Sequence, residues 1–209
     1  LFNNNMETVQ KNYIFDFDST LTSVEALDVL AEITLANNPK KDAIIDEIQE
    51  ITSLGIDGEI SFTESLEKRI KLLNAHQSNL EELISRLRQQ LSSSIESNKA
   101  FFENFSDDIY VVSCGFKEFI DPIVKDYNIP SDRVYANTFE FDEDGYIVGF
   151  DTANVLSQHN GKIQCLKDMN LDGEIQVIGD GYSDYVTREA GVADKFFAFT
   201  ENVSVSYTH

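Results

Sequence analysis

The 209-residue sequence has little of what disulfide-stabilised or membrane-spanning proteins need. Its two cysteines, Cys114 and Cys165, cannot form a disulfide framework and favour a reducing, cytoplasmic location. No apolar run is long enough to span a bilayer, and no signal-peptide pattern precedes Tyr13. We expect Met6 to be the natural start, with residues 1–5 as upstream or added sequence.

Positive charge is also scarce. The chain has 16 Lys and Arg against 37 Asp and Glu, a net charge of −21. This balance argues against nucleic acid or an anionic membrane as partner. An anionic substrate would not be attracted by the overall field, so its site must be built locally from metal, Lys, Arg and backbone N–H groups. The length fits one domain, or one domain with an insertion.

The stretch YIFDFDSTLT, Tyr13–Thr22, predicts a short buried strand that carries two acids. Asp16 and Asp18 would lie at or just past the end of this strand. A buried carboxylate is costly unless it is paired, hydrogen-bonded or bound to metal. Because side chains alternate along a strand, we expect both acids on the same side, where a shared cation would offset their repulsion.

Residues from Thr22 to about Asn104 predict helices and no strand. Four consecutive amphipathic helices with short links indicate a helical bundle. Their expected limits are an N-cap at Ser23, a stop of the second helix before Gly55, and capping boxes at Ser61 and Ser78 that open the third helix and a fourth reaching Leu91. Before the first strand, Asn3–Asn12 is expected to be a loose lead-in.

After Asp107, strands and helices alternate, which predicts an α/β fold with a mostly parallel sheet and helices on both faces. The predicted elements are strand Ile109–Val112, helix Lys117–Tyr127, strand Arg133–Ala136, a hairpin within Thr138–Phe150, helix Lys162–Met169, strand Glu174–Ile178, helix Asp184–Ala190 and strand Phe196–Phe199. The acids of the hairpin resemble an EF-hand calcium loop in spacing, but strand-like flanks favour a turn at Asp144-Gly145.

The carboxyl ends of parallel strands form the functional crevice of such sheets. Asp16, Ser113 and Asp180 each follow a predicted strand, so they would meet in one cleft with Asp18 under the helical insertion. Strand-end carboxylates suit a hard cation such as Mg²⁺, and Ser113 and Lys162 suit a phosphate. This set predicts phosphoryl transfer through an aspartyl-phosphate.

Four motifs in this order resemble those of the haloacid dehalogenase (HAD)-like phosphatases: DFDST at Asp16–Thr20, Ser113, Lys162 and GDGYSD at Gly179–Asp184. The resemblance implies a Rossmann-like three-layer core, residues 11–21 plus 101–209, with an inserted four-helix cap, residues 22–100, that selects the substrate. It makes Asp16 the nucleophile and Asp18 the general acid and base.

The same resemblance implies the remaining roles. Mg²⁺ would be held by Asp16, the main-chain carbonyl of Asp18, and Asp180, while Ser113 and Lys162 would bind the phosphoryl group. Thr20, Gly115 and Asp184 would hold these groups in place without contacting the substrate or the cation themselves. The resemblance also allows the protein to form a homodimer or to associate with an enzyme of serine synthesis.

Within the family, the closer resemblance is to phosphatases that release L-serine from L-phosphoserine, the last step of serine biosynthesis. The residues matched to substrate contacts are Glu25 for the amino group, Arg69 for the carboxylate, Phe62, Cys114 and Ser183. Cys114 stands where the family usually has glycine, and Ser183 where it commonly has asparagine. Arg69 is a candidate binding residue even without the resemblance, because it lies on the apolar stripe of its helix, where a guanidinium needs an anion.

Alternatives stay open at this point. Glu25 can be a first-turn acid favoured by the helix dipole, and Arg69 can pair with it within the cap. The enzyme can act on another small phosphometabolite, or pass the phosphoryl group to an acceptor. A phospho-ligand binding module without catalysis is a further hypothesis, although every catalytic position is filled.

Overall fold

A computed structural model describes residues 9–56 and 58–203, with only the backbone of Ile56. Strands within these residues are β1 Lys11–Phe15, β2 Ile109–Phe116, β3 Val134–Asn137, β4 Phe139–Phe141, β5 Ile147–Phe150, β6 Glu174–Gly179 and β7 Lys195–Ala198. Five of them form a parallel sheet in the order β3-β2-β1-β6-β7, and β4 and β5 form an antiparallel hairpin. The predicted α/β fold class is confirmed.

The helices of the described chain are α1 Ala26–Thr34, α2 Lys41–Ile56, α3 Phe62–Leu73, α4 Asn79–Arg88, α5 Ser93–Ser97, α6 Lys99–Phe105, α7 Lys117–Val124, α8 Gly161–Met169 and α9 Tyr182–Glu189. The four longer helices expected after β1 are present. Two short ones, α5 and α6, follow them and carry the helical stretch to Phe105.

The sheet is covered on both faces, because alternate residues of its strands pack to opposite sides. On one face, Phe15 and Val111 belong to a core shared with the helical stretch and α7. On the other, Ile14 and Val177 pack with Leu166 of α8. This arrangement gives three layers, and the carboxyl edge of the sheet lies open beside the helical stretch.

Two helix limits differ from the prediction because of contacts distant in sequence. Helix α1 follows Glu25 and not Ser23, whose hydroxyl instead donates to the carbonyl of Gln90 at 3.0 Å. Helix α2 continues through Gly55, where a Cβ would lie 2.8 Å from the hydroxyl of Ser65 on α3. Gly55 therefore allows two helices to pack closely and does not end one.

The two capping boxes have different outcomes. Ser61 caps α3 as predicted, its Oγ accepting from the Glu64 N–H at 3.1 Å. Ser78 precedes α4 but makes no capping bond, since its hydroxyl lies 2.8 Å from Nδ1 of His76. Helix α4 also ends at Arg88, short of the expected Leu91.

Several other limits shift by a few residues. Strand β1 starts at Lys11, so the end of the expected lead-in is ordered, while residues 1–8, Met6 among them, lie outside the described residues. Strand β2 continues past Val112 through Ser113. Helix α7 ends at Val124 and is followed by a 3₁₀ turn, and α9 begins at Tyr182.

The turn of the β4–β5 hairpin is stabilised by hydrogen bonds to an acidic residue within it, Asp142. Asp142 Oδ1 accepts from the N–H groups of Asp144 and Tyr146 at 3.1 and 2.8 Å, which confirms the turn expected at Asp144-Gly145. The Gly145 carbonyl accepts from Gln77 N–H at 2.8 Å, so the hairpin rests on the link between α3 and α4. Among the described helices, none has the length and apolar character needed to cross a membrane.

Candidate active site

The chain leaves β1 through an irregular turn, Phe17–Leu21, that begins the helical stretch. Ser19 within this turn has φ of +54°, a left-handed conformation that is uncommon for a residue with a Cβ. The alternation of the strand therefore stops at Phe15 and does not govern Asp18. Asp16 and Asp18 both line the same cavity, but the irregular turn, and not the alternation of side chains along β1, places them there.

Asp16 is the centre of a buried ionic arrangement. Its Oδ1 accepts from the Phe17 N–H at 2.7 Å, and its Oδ2 lies 2.7 Å from Lys162 Nζ. Lys162 also lies 2.6 Å from Asp184 Oδ1. Burial alone would lower the pKa of Lys162, but the charges of Asp16 and Asp184 outweigh it and raise that pKa well above its usual value. The lysine is therefore charged.

Gly161 allows Lys162 to reach this position. A Cβ at Gly161 would lie 2.1 Å from the backbone carbonyl oxygen of Val155, far inside contact distance. The start of α8 is thus pressed against the preceding turn in a way that only glycine permits. This contact fixes the origin of the Lys162 side chain.

Three carboxylates converge beside the lysine. Oxygens of Asp16, Asp180 and Asp184 lie within 4.8 Å of one another. Thr20 Oγ1 donates to Asp180 Oδ1 at 3.0 Å. Burial and the charge of Asp16 raise the pKa of Asp180, and the same causes raise the pKa of Asp184 to about 8. One lysine leaves this charge incompletely neutralised, so the oxygen donor set fits a hard divalent cation.

Asp18 has the properties of a proton donor. Burial, followed by the charge of Glu25, raises its pKa well above the usual value, although a hydrogen bond from the Ala26 N–H at 2.8 Å acts in the opposite direction. Glu25 accepts from Ser19 Oγ at 2.6 Å, and burial raises its pKa as well. Asp16 bonds to a lysine, whereas Asp18 accepts from a backbone N–H and Glu25 from a hydroxyl, so the three acids differ in environment.

The segment after Val112 contains the residues that were expected to contact a phosphate. Ser113 is buried, and its Oγ accepts from the Gly115 N–H at 2.9 Å. A Cβ on Gly115 would lie 3.1 Å from Asp18 Oδ2, so a larger residue would crowd the acid. Asn137 Nδ2 donates to the Cys114 carbonyl at 2.9 Å, and burial raises the pKa of the Cys114 thiol to about 12.

A cavity of about 750 Å³ joins these groups beneath the helical stretch. Nine of the residues predicted for the site line it: Asp16, Asp18, Glu25, Phe62, Ser113, Cys114, Lys162, Asp180 and Ser183. Thr20, Gly115 and Asp184 lie behind these residues and contact them. Gln158, His159 and Tyr182 also line the cavity and were not predicted. Their position a few residues from Lys162 or Asp180 in the sequence is the signal that could have found them.

Arg69 is the predicted substrate contact that does not line this cavity. Its Nε is buried and has no hydrogen-bond partner among the described residues, and its neighbours on the helix, Leu66 and Leu73, are buried. Burial lowers the pKa of Arg69, while the charges of Asp28 and then Glu25 act to raise it. A guanidinium with an unsatisfied Nε within an apolar helix face is suited to bind an anion.

The sequence matches the family described as haloacid dehalogenase-like hydrolase over residues 13–187. A chloroplastic phosphoserine phosphatase of Arabidopsis thaliana is 30% identical over 188 residues, which are 88% of this chain and 61% of that relative. The chain thus spans about three fifths of that relative's length. The match includes all four motifs, and the chain belongs to the haloacid dehalogenase-like hydrolases.

Solved structures agree with this fold. A phosphoserine phosphohydrolase-like protein from Francisella tularensis superposes with a TM-score of 0.78 at 33% identity, covering 92% of this chain and 88% of that one. A structure described as the phospho-aspartyl intermediate analogue of phosphoserine phosphatase gives 0.70 at 25% identity, covering 91% and 87%.

Proposed function

We propose that the protein is a Mg²⁺-dependent phosphomonoesterase that hydrolyses L-phosphoserine to L-serine and phosphate through a phosphorylated Asp16. One observation carries the proposal. Asp16 lies at the wall of the cavity, with its carboxylate between the Phe17 N–H and Lys162 and beside an acid, Asp18, whose pKa is raised. The names of the relatives support the choice of substrate.

In the first step, the Asp16 carboxylate attacks phosphorus, and the bond between phosphorus and the serine oxygen breaks. Asp18 gives its proton to the departing oxygen, which leaves as the hydroxyl of serine. Burial and the charge of Glu25 raise the pKa of Asp18, which favours the protonated form that this step needs. Lys162 and the N–H groups around Ser113 bind the oxygens of the phosphoryl group.

In the second step, water attacks the phosphorus of the aspartyl-phosphate. The Asp18 carboxylate takes a proton from this water, the bond from phosphorus to Asp16 breaks, and phosphate leaves. Both acids return to their starting forms, so the cycle closes without a further reactant. The two carboxylates therefore have different roles because their surroundings differ.

Asp16, Asp180 and the main-chain carbonyl of Asp18 would hold Mg²⁺, with Asp184 supporting them. When bound, the cation neutralises negative charge on the phosphoryl group and the carboxylates. Thr20 holds the carboxylate of Asp180, and Lys162 holds Asp184. The carboxylate cluster of this chain supports that assignment.

Residues 22–100, which form most of the helical stretch, would act as the cap that selects the substrate. Phe62 reaches the cavity from α3, and Glu25 reaches it from the start of α1. Arg69 would bind the carboxylate of phosphoserine and Glu25 its amino group, with Cys114 and Ser183 at the cavity wall. The unsatisfied Nε of Arg69 supports this pairing, since a substrate carboxylate would supply the absent partner.

The test compares phosphate release from L-phosphoserine, phosphoethanolamine and glycerol 3-phosphate, with Mg²⁺ and with EDTA. We expect a clear preference for L-phosphoserine and no release with EDTA. Equal rates on all three would contradict the substrate assignment and favour a phosphatase of broad range. Tight binding of phosphoserine without phosphate release would contradict the enzyme assignment.

A further inference from the structure

Asn202, in the last part of the described chain, is bonded to the turn that carries Asp18. Its Nδ2 donates to the carbonyls of Ser19 at 3.1 Å and Thr22 at 3.3 Å, and to Ser92 Oγ at 2.8 Å. Two N–H bonds serve three acceptors, so one of them is shared. Asn202, which belongs to none of the four motifs, thus bonds to the backbone just before and just after Thr20, the last residue of the DFDST motif.

Ser92 extends this contact further into the turn. Its hydroxyl, which accepts from Asn202, donates to the carbonyl of Thr20 at 2.6 Å, and its N–H donates to the carbonyl of Leu21 at 3.0 Å. Ser92 is buried. Asn202 and Ser92 together therefore satisfy four successive carbonyls, Ser19 to Thr22, that the irregular turn leaves without helical partners.

The contact lies where the chain crosses between the sheet and the helical stretch. The turn at Ser19–Thr22 leads out of β1, and Ser92 lies where the chain returns after α4. Thr22 and Leu91 pair in an isolated β-bridge, so the two crossings run side by side. Asn202 bonds to both crossings and joins them to the segment that follows β7.

Side chains on this turn meet the catalytic groups. Ser19, in its left-handed conformation, donates to Glu25, and Thr20 donates to Asp180. Release of the Ser19 and Thr20 carbonyls would let the turn relax toward more common backbone angles. The hydroxyl donors to Glu25 and Asp180 would then shift, together with the adjoining Asp18.

We propose that Asn202 is a positioning residue for the reaction, acting through Ser92 and the Ser19–Thr22 carbonyls on Asp18, Glu25 and Asp180. This inference rests on the proposed function. An amide is suited to the role because its nitrogen only donates, and all three of its partners accept. A carboxylate of the same shape would place negative charge against two carbonyl oxygens.

The experiment compares Asn202→Ala and Asn202→Asp with wild type and with Glu201→Gln as the matched control. The Glu201 carboxylate accepts from the Ser94 N–H at 3.3 Å, on helix α5 and not on the turn itself. For each variant we would measure kcat and KM on L-phosphoserine, the melting temperature, and hydrogen exchange of the peptide covering residues 17–22.

We expect kcat to fall about tenfold in both Asn202 variants with a smaller change in KM, because a misplaced catalytic group slows the chemical step. Exchange of the 17–22 amides should rise in both, while Glu201→Gln keeps the wild-type kcat and exchange. Asn202→Asp preserves size, so it supplies the same comparison if Asn202→Ala is too unstable to purify.

Three kinetic results would overturn the inference. They are a wild-type kcat in folded Asn202→Ala, restoration of kcat by the same-shaped aspartate, or an equal loss in Glu201→Gln. Hydrogen exchange separates this inference from the proposed function, since it needs no substrate. If wild type fails to hydrolyse phosphoserine, the proposed function fails, whereas unchanged exchange at 17–22 overturns the role of Asn202 alone.

Discussion

Lys162 Nζ lies 2.7 Å from Asp16 Oδ2, in a bridge that is almost completely buried. The same ammonium group bonds to Asp184, so one lysine orients the candidate nucleophile and a second acid of the carboxylate cluster. A buried lysine between two carboxylates is costly to desolvate and is best explained by function. The pair gives the first prediction.

Replacing Lys162 by methionine should lower kcat/KM on L-phosphoserine by about 10²–10³-fold. The change removes the positive charge that we propose binds the phosphoryl group but keeps an unbranched side chain of similar length. Lys167→Met is the matched control, because Lys167 is exposed on the same helix. Steady-state kinetics on both variants checks the prediction, and similar losses in the two would contradict it.

Arg69→Ala should reduce discrimination between substrates. L-phosphoserine carries a carboxylate and phosphoethanolamine does not, so kcat/KM should fall by at least about tenfold for the first and little for the second. The buried Nε, which has no hydrogen-bond partner within the described part of the chain, is the reason to expect this selectivity. A parallel loss on both substrates would indicate that Arg69 supports the fold instead. Lys68→Ala, an exposed neighbour paired with Glu64, is the control.

Gly161→Ala should lower both stability and activity. The added methyl would meet the Val155 carbonyl at 2.1 Å, a backbone contact that cannot rotate away. We expect the free energy of unfolding to fall by about 1–3 kcal/mol, with a lower kcat as Lys162 shifts. Gly149→Ala is the control, since its methyl would meet only the end of the Glu140 side chain at 3.3 Å. Urea unfolding of both variants measures the difference, and equal stabilities would contradict the account.

Cys114 should react slowly with thiol reagents despite its place at the cavity wall. Burial raises its pKa to about 12, so the thiolate that reacts is scarce at pH 8 and increases only as pH approaches that value. Burial raises the pKa of Cys165 to about 12 as well. Titration with a chromogenic disulfide should therefore detect both thiols only after unfolding. Rapid labelling of the folded protein at pH 8, with loss of activity, would show that Cys114 is a reactive thiol.

The sequence predicted those parts of the site that depend on local chemistry. Asp16 and Asp180 each follow a strand of the parallel sheet, so their convergence follows from the order of elements alone. The cap at Ser61 is likewise a contact within four residues. Lys162 was assigned through the order of the motifs, because a single lysine near a helix start carries no such signal.

Contacts between distant residues account for most of what could not be predicted. Ser23 matches the capping pattern, but its hydroxyl bonds to the carbonyl of Gln90. The hydroxyl of Ser78 bonds to the nearby His76, whose ring also bonds to the carbonyl of the distant Asp144. Gly55 is kept within α2 by packing against Ser65. Asn202 bonds to Ser19 across almost the whole chain, and no local pattern marks it. The same side chains in isolation would favour the predicted structures, and the tertiary fold overrides them.

The central claim, that Asp16 becomes phosphorylated, is tested most directly by trapping the intermediate. The enzyme would be quenched in acid during turnover of L-phosphoserine and reduced with borohydride, which converts an aspartyl-phosphate to homoserine. Peptide mass spectrometry should find homoserine at position 16 with wild type and none with Asp16→Asn. Phosphate release by Asp16→Asn at the wild-type rate, or homoserine at another aspartate, would contradict the account.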